Sequence, residues 1–311
     1  MLPPAFGCDA IIDQIFVPWL NKLLNWKARI IKRQLEAEEI TVLLCVYLDA
    51  LAKHFLWPLG IESVKARFLE LLNRFSFFAG KWNLLSLPDL HGFLLWAIDW
   101  SWGMFNSHIG TNIPPNRELY SLLKPFIENS DFYQNILQTL IQLVITEMER
   151  SGELVELKDV EDWLYDKLNK TLVVNVVNTH NITQQSLHNF LQCFTLGEIF
   201  YRDYRCAAVH ELAWFHLPGF WEEEAPYVAT YEGDPLVYGE GVVLRKIVFP
   251  IHFIWNIAWD ATQTIKSEFK FFVFKNLNHY SFESRLDIEV ALYDWLTKQN
   301  GDPESFAIKQ P

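Results

Sequence analysis

Apolar residues recur along most of this chain at the three- and four-residue spacings of helices, with polar positions between them. Residues 9–56 carry that pattern, interrupted by the polar "EAEEIT", where a second helix begins or continues. In that second helix Cys45, Leu48, Ala52 and Phe55 share one face and Asp49 lies beside it. "WPLG" then stops the run, because Pro58 and Gly60 both break helices. "ESVKARFLELLNRFSFF" places Val64, Phe68, Leu71 or Leu72 and Phe75 on one stripe, and "SLPDLHGFLLWAIDW" predicts a helix opened by Ser86 with Pro88 in its first turn.

The loop "GTNIPPNRE" marks the main internal boundary. After it, "RELYSLLKPFIENS", "DFYQNILQTLIQLVITEMERSG" and "LKDVEDWLYDKLNK" predict further helices. Followed by the apolar "TLVVNVVN", they have the order of a winged helix, yet the recognition positions lack a basic cluster, so a packing insertion is expected. A long helix is predicted from "TQQSLHNFLQCF", capped near Thr183, into "EIFYRDYRCAAVHELAWF". The texture then changes: "APYVATYEGDPLVYGEGVVLRKIVFP" reads as a β-hairpin turning at "EGDP". "IHFIWNIAWDATQTIKSEF" and "SRLDIEVALYDWLTKQ" return to helix. The expectation is a mainly α chain, one domain over 1–311, with a helical insertion at about 115–175 and a small hairpin near 226–250 ahead of the last helices.

Half of the residues are hydrophobic (50%), enough to build a sizeable core in a chain of 311. The formal net charge of -12 excludes coating of nucleic acid by a broad basic surface, though it leaves room for a small basic site. Cys8, Cys45, Cys193 and Cys206 form no CxxC pair, which points to reduced thiols and away from a zinc knuckle or a disulfide framework. The first residues show no signal-peptide pattern, so a cytoplasmic location is expected. The two most apolar segments carry Asp49, Lys53 and Pro58, and Pro88, Asp89, His91 and Asp99, which argues for burial in protein and against a membrane.

The chemistry concentrates in "EIFYRDYRCAAVHELAWF", where polar groups interrupt an otherwise buried helix. Arg205 and His210 form R-x4-H: an imidazole that moves protons near neutral pH beside a guanidinium that holds phosphate. Those two groups suffice for metal-free RNA cleavage, in which a ribose 2'-OH attacks the adjacent phosphate. The pattern is cheap, since Arg245 and His252 in "RKIVFPIH" match a looser form of it across a strand end and Pro250.

"LLCVYLDALAKHF", "SVKARFLELLNRFS", "YRDYRCAAVHE" at a helix end, and the hairpin ending "IVFPIHFI" together resemble the HEPN superfamily (higher eukaryotes and prokaryotes nucleotide-binding). In particular they are similar to HEPN-like proteins common in cyanobacterial genomes. The resemblance covers residues 41–95 and 184–266 and implies an α-helical bundle. It further implies a metal-independent ribonuclease of a toxin, antiphage or CRISPR-linked system, with R-x4-6-H motifs of two protomers meeting in a composite site. Carried over, it assigns catalysis to Arg205 and His210, a homodimer, single-stranded RNA as substrate, no cofactor, and a possible antitoxin or defence-complex partner. In that superfamily the residue after the arginine is often polar, and here it is Cys206.

On an ideal α-helix, at about 100° per residue, Arg205 and His210 stand about 140° apart, so convergence requires a distorted helix or a second chain. Arg202, Cys206 and His210 instead follow i, i+4, i+8, which makes Arg202 an alternative phosphate ligand, and Asp203 a group that orients the imidazole. Plainer roles stand beside each of these. Arg205 and His210 serve equally well as buried hydrogen-bonding residues, Glu198 and Arg202 as a surface ion pair, and Asp49 either projects into the cleft or acts as a cap or salt-bridge partner. The same fold without catalysis would be a nucleotide-binding or protein-interaction module. His180 and His188 have no third ligand at metal spacing, and "GEG" at Gly239–Gly241 reads as a turn. The tryptophans of "WAIDWSWGMF" are expected in the core and "WEEEAP" in a solvated loop.

Overall fold

The polar "EAEEIT" starts a helix because its first acids cap it: the Glu36 N–H donates to Glu39 Oε2 at 3.2 Å, satisfying a backbone group that the helix itself leaves open. The computed structural model describes residues 4–32, 34–106, 130–175, 184–211, 224–232, 243–276 and 290–296. Helices dominate them, with two small antiparallel sheets, as the spacing of apolar positions predicts. The chain divides into two compact units, Met1–Gly80 with Tyr201–Ala225 and Pro250–Pro311, and Lys81–Phe200 with Pro226–Phe249.

The first unit contains α1 (Pro4–Ile31), α2 (Ala37–Phe55) and α3 (Val64–Phe75). Gly60, in the left-handed region at φ 66°, ends the short 3-10 turn Trp57–Leu59 between α2 and α3, and the Ser63 hydroxyl caps α3 by accepting from the Ala66 N–H at 3.3 Å. Phe68, Leu71, Leu72 and Phe75 are the buried face of α3, as the stripe read from the sequence has it, while Val64, its first expected member, is exposed in the first turn. Beside them lie α9 (Ile251–Lys275), begun after Pro250, and a helix over 290–296 whose Trp295 ring is buried between Phe75 and Phe269. Helix α1 runs antiparallel to α9: Lys266 pairs with Asp13 at 2.8 Å, while ten positions further along α1 the Leu23 carbonyl accepts from Trp255 Nε1 at 3.0 Å. Tyr47 on α2 meets Thr262 on α9 in a buried hydroxyl pair at 2.8 Å.

In the second unit β1 (Leu84–Ser86) pairs with β2 (Leu154–Glu156), and α4 (Leu87–Asn106) follows β1 directly. Ser86 does open α4: its Oγ donates to Asp89 Oδ2 at 2.5 Å and accepts from the Asp89 N–H at 3.4 Å. The same carboxylate accepts from the Ile247 N–H at 2.9 Å and ties α4 to the hairpin of β3 (Tyr227–Glu232) and β4 (Val243–Val248). Leu90 and Leu94 pack into one core with Leu140 and Val144 of α5 (Ser130–Ser151), Leu164 of α6 (Leu157–Asn175), and Phe190 of α7 (Gln184–Gln192).

The described part of residues 115–175 belongs to the unit that begins at Lys81 and includes the hairpin. The sheet of β1 and β2 is unannounced in the sequence, because strands of three residues are too short to show alternation. The single long helix into the motif is two helices: α7 stops at Gln192, and α8 starts at Leu196 and ends at Ile199. A non-local contact breaks it, since Thr195 bridges Leu85, and Ser86 N–H donates to the Phe194 carbonyl at 2.9 Å. The expected loop "GTNIPPNRE", the helix "RELYSLLKPFIENS", the cap at Thr183 and the turn at Gly239–Gly241 lie outside the described residues.

Candidate functional site

Directly after α8 the backbone changes its hydrogen-bond register. Phe200–Glu211 is a π-helix of 12 residues, bonded i to i+5, whereas such geometry is ordinarily confined to single-turn bulges. Widening the turn from 3.6 residues to about 4.4 alters which positions lie above one another. Arg205 and His210, about 140° apart on an α-helix, come to within about 50° of each other on this backbone. The stripe of Arg202, Cys206 and His210 keeps its alignment, because each step of four falls about 30° short of a turn here where it overshoots by about 40° in an α-helix. The side chain of His210 lies outside the described residues.

Arg205 is the best-anchored group of the segment. Its Nη2 donates to Asp49 Oδ2 of α2 at 2.9 Å, its Nη1 to Cys206 Sγ at 3.9 Å, and its guanidinium carbon sits 5.3 Å from the centre of the Tyr201 ring. The arginine side chain is 6% exposed and that of Asp49 27%, so the pair is closed on the arginine side and partly open at the carboxylate. Burial works against the guanidinium charge, but the bond and attraction from Asp49, with Cys206 and Tyr201, hold it protonated more firmly than a free arginine. Of the two roles considered for Asp49, the salt-bridge partner is the one observed.

Two further residues complete this cluster. Tyr201, four positions before Arg205, packs edge-on against Phe68 at 5.5 Å, and burial, with Cys206 nearby, pushes its phenol up to about 12. Cys45 lies one turn before Asp49 on α2, is fully buried, and is pushed up to about 12 by burial, against the attraction of Arg205. Sequence reasoning placed Cys45 only in the core and passed over Tyr201. Their spacings of four to Asp49 and Arg205 were the available signal.

Arg202 is more accessible than Arg205 but already engaged: Nε donates to Asp203 Oδ1 at 2.7 Å and Nη2 to Asp203 Oδ2 at 3.2 Å. Asp203 therefore holds a guanidinium in this arrangement, where the sequence suggested an imidazole. Glu198 is buried in α8, where the sequence reading places it at the surface.

The weaker candidates resolve into structural roles. His188 Nδ1 lies 2.8 Å from Glu161 Oε2, a link between α7 and α6. His180 is outside the described residues. Arg245 on β4 is ion-paired with Glu153, while His252 stands in the first turn of α9, so the looser R-x6-H match spans two different elements. Among the described residues no three His, Cys, Asp or Glu side chains gather to hold a metal ion, and no helix is long and apolar enough to cross a membrane.

Compared with protein-family models, curated proteins and solved structures, the chain matches none. Its function is therefore read from its own residues.

Proposed function

We propose that this chain is a metal-independent endoribonuclease of the HEPN type that cleaves single-stranded RNA as a homodimer. The observation that carries the reading is the π-helical register, which brings Arg205 and His210 from about 140° to about 50° apart around the segment that bears the motif. In the reaction His210 takes the proton of a ribose 2'-OH as that oxygen attacks the adjacent phosphorus. The bond from phosphorus to the 5'-oxygen breaks, the partner's His210 returns a proton to the leaving 5'-oxygen, and the products carry a 2',3'-cyclic phosphate and a 5'-OH.

Positive charge at the pentavalent phosphorane comes from the arginines. Arg205, held against Asp49, fixes the π-helix and supplies a field from a buried position, while the half-buried Arg202 is the residue that exchanges its Asp203 partner for phosphate. A toxin, antiphage or CRISPR-linked setting, with an antitoxin or defence-complex partner, fits an enzyme whose cations are neutralised by carboxylates at rest. The test is cleavage of a labelled single-stranded RNA in excess EDTA with the product ends analysed. Cyclic phosphate ends formed without metal support the reading; 3'-OH ends, or cleavage lost in EDTA, contradict it.

A second reading, a non-catalytic module that binds a nucleotide or a protein, is favoured by one observation. Arg205 is only 5% exposed and already paired with a carboxylate, as a residue locking a bundle would be.

A further inference from the structure

Two thiols stand at the Arg205 cluster, and the proposed reaction uses neither. Cys206 Sγ lies 3.9 Å from Arg205 Nη1, while Nη2 of the same guanidinium lies 2.9 Å from Asp49 Oδ2. Arg205 thus stands between Cys206 and α2, and Cys45 occupies the turn of α2 just before Asp49. Arg205, Asp49 and Cys206 are also the charges felt at the Cys45 thiol, so both sulfurs sit within reach of one guanidinium. All four residues belong to the same compact unit, whereas Cys193, whose Sγ donates to the Asn189 carbonyl at 3.3 Å, belongs to the other.

The two sulfurs differ in access. Cys45 is fully buried and Cys206 half-buried, so a small oxidant meets Cys206 first. The guanidinium beside it stabilises the hydroxide that leaves hydrogen peroxide when the sulfur attacks. Cys206 also hydrogen-bonds with the Tyr201 phenol, five positions back along the π-helix. An oxidised Cys206, closed in by Tyr201, Arg205 and α2, has Cys45 as the thiol placed to resolve it. Shape then fixes the consequence. A disulfide holds its two Cβ atoms about 3.5–4.5 Å apart, which leaves no place for a guanidinium between them.

We propose that Cys206 and Cys45 form a disulfide under hydrogen peroxide, displacing Arg205 from Asp49, as a redox switch on the motif. In the first step the Cys206 thiolate attacks one peroxide oxygen, the O–O bond breaks, and a sulfenic acid and hydroxide form. In the second the Cys45 sulfur attacks the Cys206 sulfur, the S–O bond breaks, and the hydroxyl leaves as water with the Cys45 proton. Two electrons have then passed from the thiols to one peroxide, and a dithiol such as dithiothreitol returns them. The bond is independent of the ribonuclease reading; its effect on cleavage rests on that reading.

The test treats the native full chain with hydrogen peroxide, blocks the remaining thiols with iodoacetamide, and maps the peptides by mass spectrometry with and without dithiothreitol. A linked pair of Cys45 and Cys206 peptides, absent after dithiothreitol and absent from Cys206→Ser, is the expected result. Cys206 that remains a thiol, stops as a sulfenic or sulfinic acid, or pairs with any other cysteine overturns the proposal. In a chain that cleaves RNA, the bond lowers cleavage by about tenfold or more and dithiothreitol restores it. Full cleavage by the cross-linked chain overturns the switch. Cross-linking of a chain that cleaves no RNA before oxidation supports the bond and counts against the ribonuclease reading alone.

Discussion

Arg205 reaches Asp49 across 156 positions of sequence, with Nη2 2.9 Å from Oδ2, and so fastens the π-helix to α2. Removing the carboxylate leaves a guanidinium that is 6% exposed without its charge partner. Breaking a fully buried pair costs roughly 3–5 kcal/mol; with Asp49 27% exposed, Asp49→Ala is expected to cost about 2 kcal/mol in urea unfolding. Asp49→Asn, which keeps an acceptor, costs less. Replacing both residues by leucine recovers part of the loss, since no charge is then stranded.

The hydroxyl pair between α2 and α9 has a definite direction. Thr262 Oγ1 donates its one hydrogen to the Ala258 carbonyl at 2.7 Å, so Tyr47 must be the donor in the 2.8 Å contact. Thr262→Val strands the Tyr47 O–H and is expected to cost about 1–3 kcal/mol, whereas Tyr47→Phe costs about 1 kcal/mol. The double variant falls well short of the sum of the two, as a thermodynamic cycle of melting curves will show.

Thiol reactivity separates Cys45 from Cys206. Cys45 is fully buried with its thiol pushed up to about 12, while Cys206 is half-buried on the π-helix. Iodoacetamide at pH 8 therefore alkylates Cys206 in the folded chain and reaches Cys45 only after unfolding, a difference read by peptide mass spectrometry. Labelling of Cys45 at the same rate in the native chain would mean that the α2 face opens.

His91 links stability to mild acid. Burial first, and then the neighbouring Arg245, hold its imidazole below the ordinary 6.5. The folded chain thus favours the neutral ring. Its contribution is complete above the unfolded value and is lost as pH falls below 6.5, where the unfolded chain takes up the proton first. Stability falls between pH 7 and pH 5, and His91→Gln flattens part of that slope; His252, lowered by burial and Lys27, accounts for another part.

Local pattern and non-local contact divide what the sequence shows from what it hides. The α3 stripe, the Ser86 cap and the hairpin are legible because each rests on spacing or turn chemistry within a few residues. The break at Cys193–Thr195 is illegible because β1, more than a hundred residues earlier, makes it. The motif itself stood out as polar groups in an apolar helix, and Asp49 as a salt-bridge partner was among the roles considered. The π register is not legible in the sequence, which leaves a distorted helix and a second chain as alternatives, since a pattern read at 3.6 residues per turn cannot signal a wider one. Arg202, favoured by that periodicity, turns instead to its own neighbour Asp203.

The central claim is that the motif on the π-helix cleaves RNA. It is tested most directly by single-turnover cleavage of a labelled single-stranded RNA in EDTA, comparing the native chain with His210→Ala after sedimentation has verified equal oligomeric state. Loss of the proton-transferring imidazole is expected to slow cleavage by about 10²–10⁴-fold. Equal rates with and without His210 would contradict the account.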